Sequence, residues 1–420
     1  MSSSTDHSLP VIFDNLEYLD NPFYLKVFDT SQFFDEQLKV IENSSTDYEY
    51  AWKFLYSYNG STATFNSYRR EIERLILWSW HICQLSILDL KRENIEQYIT
   101  FCMKPPKSWI GVKNVARFKP LHGERVQNPA WRPFVASLKK SQNKKGIKPT
   151  VKDFEFSQSS IQACFSVLSS FFNFLIQEEV CTMNPVALIR QKSKFTVKQQ
   201  HKAPIRRVSN LQWEYVIETI NNLANLDPEK HERSLFILNC LFSMYLRISE
   251  LVADERSIPL MSDFRRDHDG NWWLHVTGKG NKSRIITVSE GMISSLKRYR
   301  IHLGLTPLPL IDDRTPIVSK LIGKGPVTST RMVRSIVQDC FDLAYTKMKA
   351  DGLEDDAQEL KTATVHWLRH TGISEDVKTR PREHVRDDAG HASMQTTDRY
   401  IESDLRERHA SGKHKKIRNL

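Results

Sequence analysis

A chain of 420 residues is too long for one ordinary hydrophobic core and points to two domains with short appendages. Its 40% hydrophobic and 26% charged residues are those of a globular protein, which excludes a disordered or low-complexity chain. The net charge of +10 favours a polyanionic partner. No run reads as the ~20 apolar residues of a bilayer span, and Met1 to His7 lacks the basic start and apolar stretch of a signal peptide. Cys83, Cys102, Cys164, Cys181, Cys240 and Cys340 are scattered without a Cys-x-x-Cys pair, so buried free thiols are expected, with no metal or disulfide frame.

Residues 1–47 form an acidic, aromatic-containing extension without an assigned role; packing on the first domain or against a partner subunit are both open. From Ser61 the pattern turns helical. Phe65, Tyr68, Ile72 and Leu75 recur at three- and four-residue steps, with Thr62 or Thr64 available as a cap. Ile95, Tyr98, Ile99 and Cys102 repeat the pattern. Residues 104–151 read as a loop-rich insert with Pro105, Pro106, Pro129 and Pro133. Then Ile161, Phe165, Leu168, Phe172 and Leu175 form one apolar stripe, opposite Gln162, Ser166, Ser169 and Asn173, and Asn184-Pro185 closes the segment. Arg190, Lys192, Lys194, Lys198, Lys202, Arg206 and Arg207 crowd a stretch with no apolar period. It is a solvated tether or a strap along a phosphate backbone. Ser209 and Gln212 make a capping box before Trp213, Val216, Ile217 and Ile220. Another helix runs through Leu235, Ile237, Leu238, Leu241 and Tyr245. Residues 272–276 and 285–288 are rich in strand formers and flank Gly278-Lys279-Gly280-Asn281, a hairpin. Helices dominate again from Ser289 to Tyr400.

Five stretches carry candidate chemistry: Leu246 to Leu251, Gly278 to Arg284, His366 to His370, Gly390-His391-Ala392 and Asp398-Arg399-Tyr400. Each is weak alone. Arg247 and Glu250, three apart, read first as a helix-surface ion pair. The glycine-lysine stretch is no phosphate loop, because Asn281 precedes Lys282 and strand-forming residues follow. His366 and His370 have the spacing of a zinc-binding helix pair, but Trp367 stands where that motif needs glutamate and Arg369 would repel the metal.

Taken in order, these stretches resemble the tyrosine recombinase, or phage integrase, family: an arginine, a hairpin lysine, His-x-x-Arg, a histidine and a tyrosine. The resemblance implies a mainly α protein with a small β-sheet or hairpin in its C-terminal domain, a two-domain DNA clamp. The expected division is an N-terminal extension at 1–47, a helical core-binding (SAM-like) domain at 48–189, a basic linker at 190–208, a catalytic domain at 209–408 and a basic tail at 409–420. It further implies double-stranded DNA at specific sites as partner, a homotetramer on paired sites, accessory DNA-bending or directionality proteins, no membrane, and a bacterial cytoplasmic, nucleoid-associated location. There are departures. Tyr245 stands before Leu246 where many members have Thr-Gly, Ala389 replaces a frequent leucine, Glu375 to Asp388 is unusually polar, and Arg256 to Asn271 is long.

The resemblance assigns the catalytic set as Arg247, Lys279, His366, Arg369, His391 and Tyr400. Two guanidiniums suit the charge that develops on a phosphodiester under attack. His391 adds a hydrogen bond. Tyrosine, with an ordinary pKa of about 10, needs a base or cations to attack at neutral pH, and His366 is the candidate base. Lys279 is similar to the family's general acid for the departing 5′-oxygen. Glu250 buttresses Arg247, His370 is a structural histidine, and Lys282 and Arg284 join the linker cations as phosphate contacts. A 3′-phosphotyrosyl link conserves bond energy, so no cofactor is expected. The function implied is site-specific cleavage and rejoining of DNA that integrates, excises or resolves a mobile element. A type IB topoisomerase-like enzyme and a non-catalytic DNA-binding regulator are the alternatives.

Overall fold

The computed structural model describes residues 9–19, 41–121, 124–138, 146–187, 189, 206–255, 257–278, 283–400 and 412–413. The chain divides into two compact units, Met1–His201 and Lys202–Leu420, each around its own hydrophobic core. The division falls within the basic stretch, where Lys192, Lys194, Lys198 and Lys202 lie outside the described residues.

The first unit is built on helices α1 (Leu16–Leu19), α2 (Ser44–Tyr56), α3 (Thr62–Trp78), α4 (Arg92–Met103) and α5 (Gln158–Gln177). The expected apolar stripes are buried, including Phe65, Ile72 and Leu75 on α3 and Ile161, Phe165, Leu168, Phe172 and Leu175 on α5. The α3 cap is Ser61, one residue before the expected threonines: its hydroxyl accepts the Thr64 N–H at 3.4 Å. By length and composition α5 could cross a membrane, which corrects the reading that no run is long enough. Its apolar stripe is spent instead on α2 and α3, where Phe171 and Phe54 rings meet at 5.0 Å.

Two features of this unit escaped the sequence pattern. Residues 104–151 are not only loop. They hold β1 (Ile110–Gly111) paired parallel with β4 (Phe134–Val135), and a hairpin of β2 (Phe118–Leu121) and β3 (Glu124–Gln127). Strands of two to four residues are too short for alternation to register. The N-terminal extension joins the core through Val11, Ile12 and Phe13. Glu73, 1% exposed, anchors it by accepting the Ile12 and Phe13 N–H groups at 3.1 and 3.3 Å. The second Glu73 oxygen takes Arg117 at 3.1 and 2.6 Å, and Arg125 grips Asp14 through two bonds of 2.7 and 2.8 Å.

The second unit holds α6 (Asn210–Leu226), α7 (Pro228–Ser243), α8 (Glu290–His302), α9 (Thr330–Ala350), α10 (Glu354–Thr362), α11 (Val365–Asp376), α12 (Arg382–Ala389) and α13 (Met394–Asp398). The capping box at α6 forms: Ser209 Oγ accepts the Gln212 N–H at 3.2 Å, and Gln212 Oε1 accepts the Ser209 N–H at 2.9 Å. An antiparallel sheet runs β5 (Phe264–Arg266), β6 (Trp272–Thr277), β7 (Ser283–Thr287). In register, Leu274 faces Phe264 and Ile286, and all three are buried on the core side. The β6–β7 hairpin was legible; β5, inside the long stretch before Asn271, was not. Helix α11 lies so close to α7 that a Cβ on Gly372 would fall inside the van der Waals radius of the Phe242 carbonyl oxygen. This glycine sets how far α11 sinks into the unit.

Removing Glu73 would leave two backbone donors and Arg117 without their buried acceptor. Breaking such a pair typically costs about 3–5 kcal/mol. Glu73→Ala should therefore lower the denaturant midpoint of the first unit and expose the Ile12 and Phe13 amides to hydrogen exchange. Unchanged protection at both would show that the strap is held by apolar packing alone.

Candidate active site

Arg247 leaves the end of α7 and opens a single 3-10 turn, Ile248–Glu250, so the pair with Glu250 is a turn closure and not a helix-surface ion pair. Glu250 Oε2 accepts the Arg247 N–H at 2.7 Å, and Oε1 accepts its Nη1 at 3.0 Å. The same buried carboxylate receives Arg284 from β7, at 2.7 and 2.8 Å through both Nη atoms. Burial alone would push the Glu250 carboxyl up, but the Arg284 hydrogen bonds and charge, with Arg247 behind them, hold it below the ordinary carboxylate range. Arg284 also donates Nε to the Asp388 carbonyl at 2.9 Å. The Arg284 guanidinium thus meets protein acceptors on both sides, and its side chain is 10% exposed.

Arg369 is 3% exposed on α11. One Nη donates to the Tyr245 carbonyl, and Nη2 donates to the Ala389 carbonyl at 2.5 Å and lies 3.3 Å from His391 Nε2. Arg247 Nη2 reaches the next carbonyl along, Gly390, at 3.3 Å. Two guanidiniums from distant stretches thus meet consecutive carbonyls at the C-terminal end of α12, where the helix dipole is negative. Gly390 ends α12 with φ of +63°, a left-handed position that glycine adopts without strain. Tyr245, φ +49°, turns its carbonyl toward Arg369 from the same left-handed region. This is where many members of the resembled family place glycine. Here the tyrosine is pinned at its other end, its hydroxyl bonded to Asp376 and 3.1 Å from Arg380 Nη1.

In the polar segment Glu375 to Asp388, Asp376, Arg380 and Asp388 are tied into the fold, while Lys378, Arg382, Glu383 and Asp387 are exposed. Arg380 bridges Asp376 at 3.0 Å and Asp388 at 2.6 Å, and Asp388 Oδ1 accepts the Thr287 N–H of β7 at 3.1 Å. Burial disfavours the Arg380 cation, but these two carboxylates more than offset it and raise its pKa. The brace ties α11, α12, β7 and Tyr245 together, and it fixes the turn that carries His391.

Tyr400 follows α13, half-buried against Tyr245, Ile373, Val385 and Ala389. Its ring stacks on His391 with centroids 5.8 Å apart and planes at 16°. His391 Nδ1 is 3.0 Å from Thr397 Oγ1, which orients the imidazole. The phenolic oxygen lies 2.6 Å from Nδ1 of His370, a residue read from the sequence as structural. His366, the expected base, packs edge-on against His370 at 4.3 Å and is solvent-exposed. Burial, then neighbouring cations led by His366 and Arg369, lower the His370 pKa to about 4. Burial with Arg369, Arg247 and Arg284 lowers that of His391 to about 4 as well. Burial raises the phenol pKa of Tyr400, against the opposing pull of Arg369, Arg399 and Arg247.

The structure therefore gathers Arg247, Arg369, His366, His391 and Tyr400 in one place and adds His370 and Glu250. Lys279 and Lys282 lie outside the described residues, as does the basic tail apart from Lys413. Arg206 is exposed and Arg207 half-buried at the start of the second unit. Among the described residues no group of acidic, histidine or cysteine side chains could hold a metal ion. All six cysteines are free thiols. The signal for His370 was present only as its place one residue after Arg369.

Both imidazoles have folded pKa values near 4, against 6.5 ordinarily. Below pH 6.5 the unfolded chain therefore takes up protons that the folded chain refuses. Their contribution is complete above that pH and is lost as the pH falls toward 4. Thermal midpoints measured from pH 7.5 to 4.5 should fall, and fall less in a His370→Gln/His391→Gln variant. Identical pH slopes for the two proteins would contradict neutral, buried imidazoles.

No family model matches the chain. The tyrosine recombinase XerC of Chlorobaculum parvum is 24% identical over 323 residues, covering 74% of this chain and 82% of its own length. The tyrosine recombinase XerD of Rickettsia bellii is 32% identical over 142 residues, 34% of this chain and 43% of its own. A crystal structure of the XerH site-specific recombinase, bound to a palindromic difH substrate in a post-cleavage complex, has a TM-score of 0.53 at 14% identity over 97% of this chain and 98% of that one, a likeness of fold. In its fold, its sequence relatives and the ordered arginine, histidine and tyrosine set around one turn, the chain is similar to the tyrosine recombinases.

Proposed function

We propose that this protein is a site-specific DNA recombinase in which Tyr400 attacks the scissile phosphorus, forming a 3′-phosphotyrosyl link and releasing a 5′-hydroxyl. The observation that carries this reading is the meeting of Arg247, Arg369, His391 and the Tyr400 phenol around the Ala389–Gly390 turn. A guanidinium has five N–H groups, so the carbonyl bonds that hold Arg369 leave donors for the non-bridging phosphate oxygens. Donors fixed in advance in a water-poor pocket stabilise the developing charge by a few kcal/mol each. His391 Nε2, beside Arg369, supplies a further contact. Lys279, which lies between β6 and β7 in the sequence, protonates the 5′-oxygen. A second DNA end reverses the step without an energy source.

The helical first unit and the catalytic second unit bind duplex DNA, with Lys192, Lys194, Lys198, Lys202, Arg206, Arg207 and Lys282 on phosphates. Affinity then falls steeply with salt. The assembly is a tetramer on paired sites in the bacterial cytoplasm, associated with the nucleoid and aided by accessory DNA-bending or directionality proteins. It serves the integration, excision or resolution of a mobile element.

On a nicked suicide duplex, wild type should leave a covalent protein–DNA species on a denaturing gel, and Tyr400→Phe should not. Arg247→Ala and Arg369→Ala should bind the duplex and cleave at least ~100-fold more slowly. Supercoil relaxation without a Holliday junction would instead identify a topoisomerase, and equal behaviour of wild type and Tyr400→Phe a non-catalytic DNA binder.

A further inference from the structure

We infer that His370 is the catalytic residue that takes the Tyr400 phenolic proton during attack and returns it during rejoining. This rests on the reading of Tyr400 as nucleophile and assigns its proton to an imidazole other than His366. Nδ1 of His370 lies 2.6 Å from the phenolic oxygen, with the two rings 5.5 Å apart between centroids. His370 directly follows Arg369, so a single turn of α11 carries both the phosphate clamp and the proton acceptor. The close approach of α11 to α7 at Gly372 holds that turn in depth. His366 packs edge-on against the His370 ring, and His391 stacks on the Tyr400 ring. The phenol is thus framed by two imidazoles, and one of them is hydrogen-bonded to it.

For Nδ1 to accept, the neutral ring carries its proton on Nε2. As the Oη–phosphorus bond forms and the bond from phosphorus to the 5′-oxygen breaks, the phenolic proton moves to Nδ1 and the 5′-oxygen receives a proton from the general acid. In rejoining, the 5′-hydroxyl attacks phosphorus and gives its proton back to the now-deprotonated general acid, the Oη–phosphorus bond breaks, and the Nδ1 proton returns to the departing phenolate. The groups facing this pair are His366 and Arg369 on α11, His391 after α12, Arg399 beside Tyr400, and Arg247 after α7. Without DNA, burial and then these cations disfavour an imidazolium, so the proton rests on the tyrosine. A phosphate held by Arg247 and Arg369 cancels much of that repulsion and makes His370 the stronger base. The same anion weakens the help those arginines give a phenolate, which is when a base is needed.

The test uses nicked suicide duplexes with either oxygen or sulfur as the bridging 5′ atom; sulfur leaves without needing an acid. His370→Asn should bind the duplex as wild type does, yet form the covalent species at least ~100-fold more slowly on both substrates. Its rate should keep rising with pH where the wild-type rate is level, and a fluorinated tyrosine of lower pKa at position 400 should recover much of the loss. Should His370→Asn fail to bind DNA, His370→Gln carries the same measurements. Three results would each overturn the inference: cleavage at the wild-type rate, full recovery with sulfur alone, or a loss with unchanged pH profile and no recovery by the fluorinated tyrosine. A covalent species formed by Tyr400→Phe would instead remove the nucleophile reading itself, whatever His370 does.

Discussion

Arg247, Arg284 and Arg369 sit within electrostatic reach of one another, and Arg369 is 3% exposed, so the second unit must hold a concentration of positive charge away from water. Burial, then Arg247 and Arg284, lower the Arg369 pKa to about 10. A fully buried, unpaired cation costs several kcal/mol even after relaxation. The protein offsets this with one carboxylate, Glu250, shared by two arginines, and with the carbonyls of Tyr245, Ala389 and Gly390. The compensation is partial because the carbonyls are dipoles and not charges.

Much of the surrounding architecture follows from aiming those carbonyls. Tyr245 accepts a left-handed backbone, a strain of about 1–3 kcal/mol in a residue with a side chain. Bonds from its hydroxyl to Asp376 and Arg380 hold it there. Gly390 ends α12 so that successive carbonyls point at successive guanidiniums. The Arg380 brace between Asp376 and Asp388 then locks α12 to α11 and to β7. Asp376, Arg380 and Asp388 are the internal struts of this stretch, and Lys378, Arg382, Glu383 and Asp387 face solvent.

The same positive charge sets the resting state of the nucleophile. Burial, and this charge after it, keep His370 and His391 neutral; the charge draws the phenol pKa down, while burial draws it up more strongly. Tyr400 is therefore held protonated against a neutral imidazole.

The amino-acid sequence by itself determined the helices with sustained apolar stripes, the Ser209–Gln212 capping box, the β6–β7 hairpin and the shared face of His366, Arg369 and His370, because these depend on residues within a few positions of one another. The order of the five short stretches was enough to bring out the family. Tertiary structure alone decided which histidine meets the phenol, 30 residues away, and that Arg284 serves Glu250, 34 residues away. It also decided that Arg369 depends on a carbonyl 124 residues distant, and that Asp14 is gripped by Arg125 across 111 residues. Short strands such as β1 and β4 were illegible for the same reason. Their partners are chosen by how the helices pack, and a hydrogen bond across such a separation leaves no periodicity in the chain that makes it.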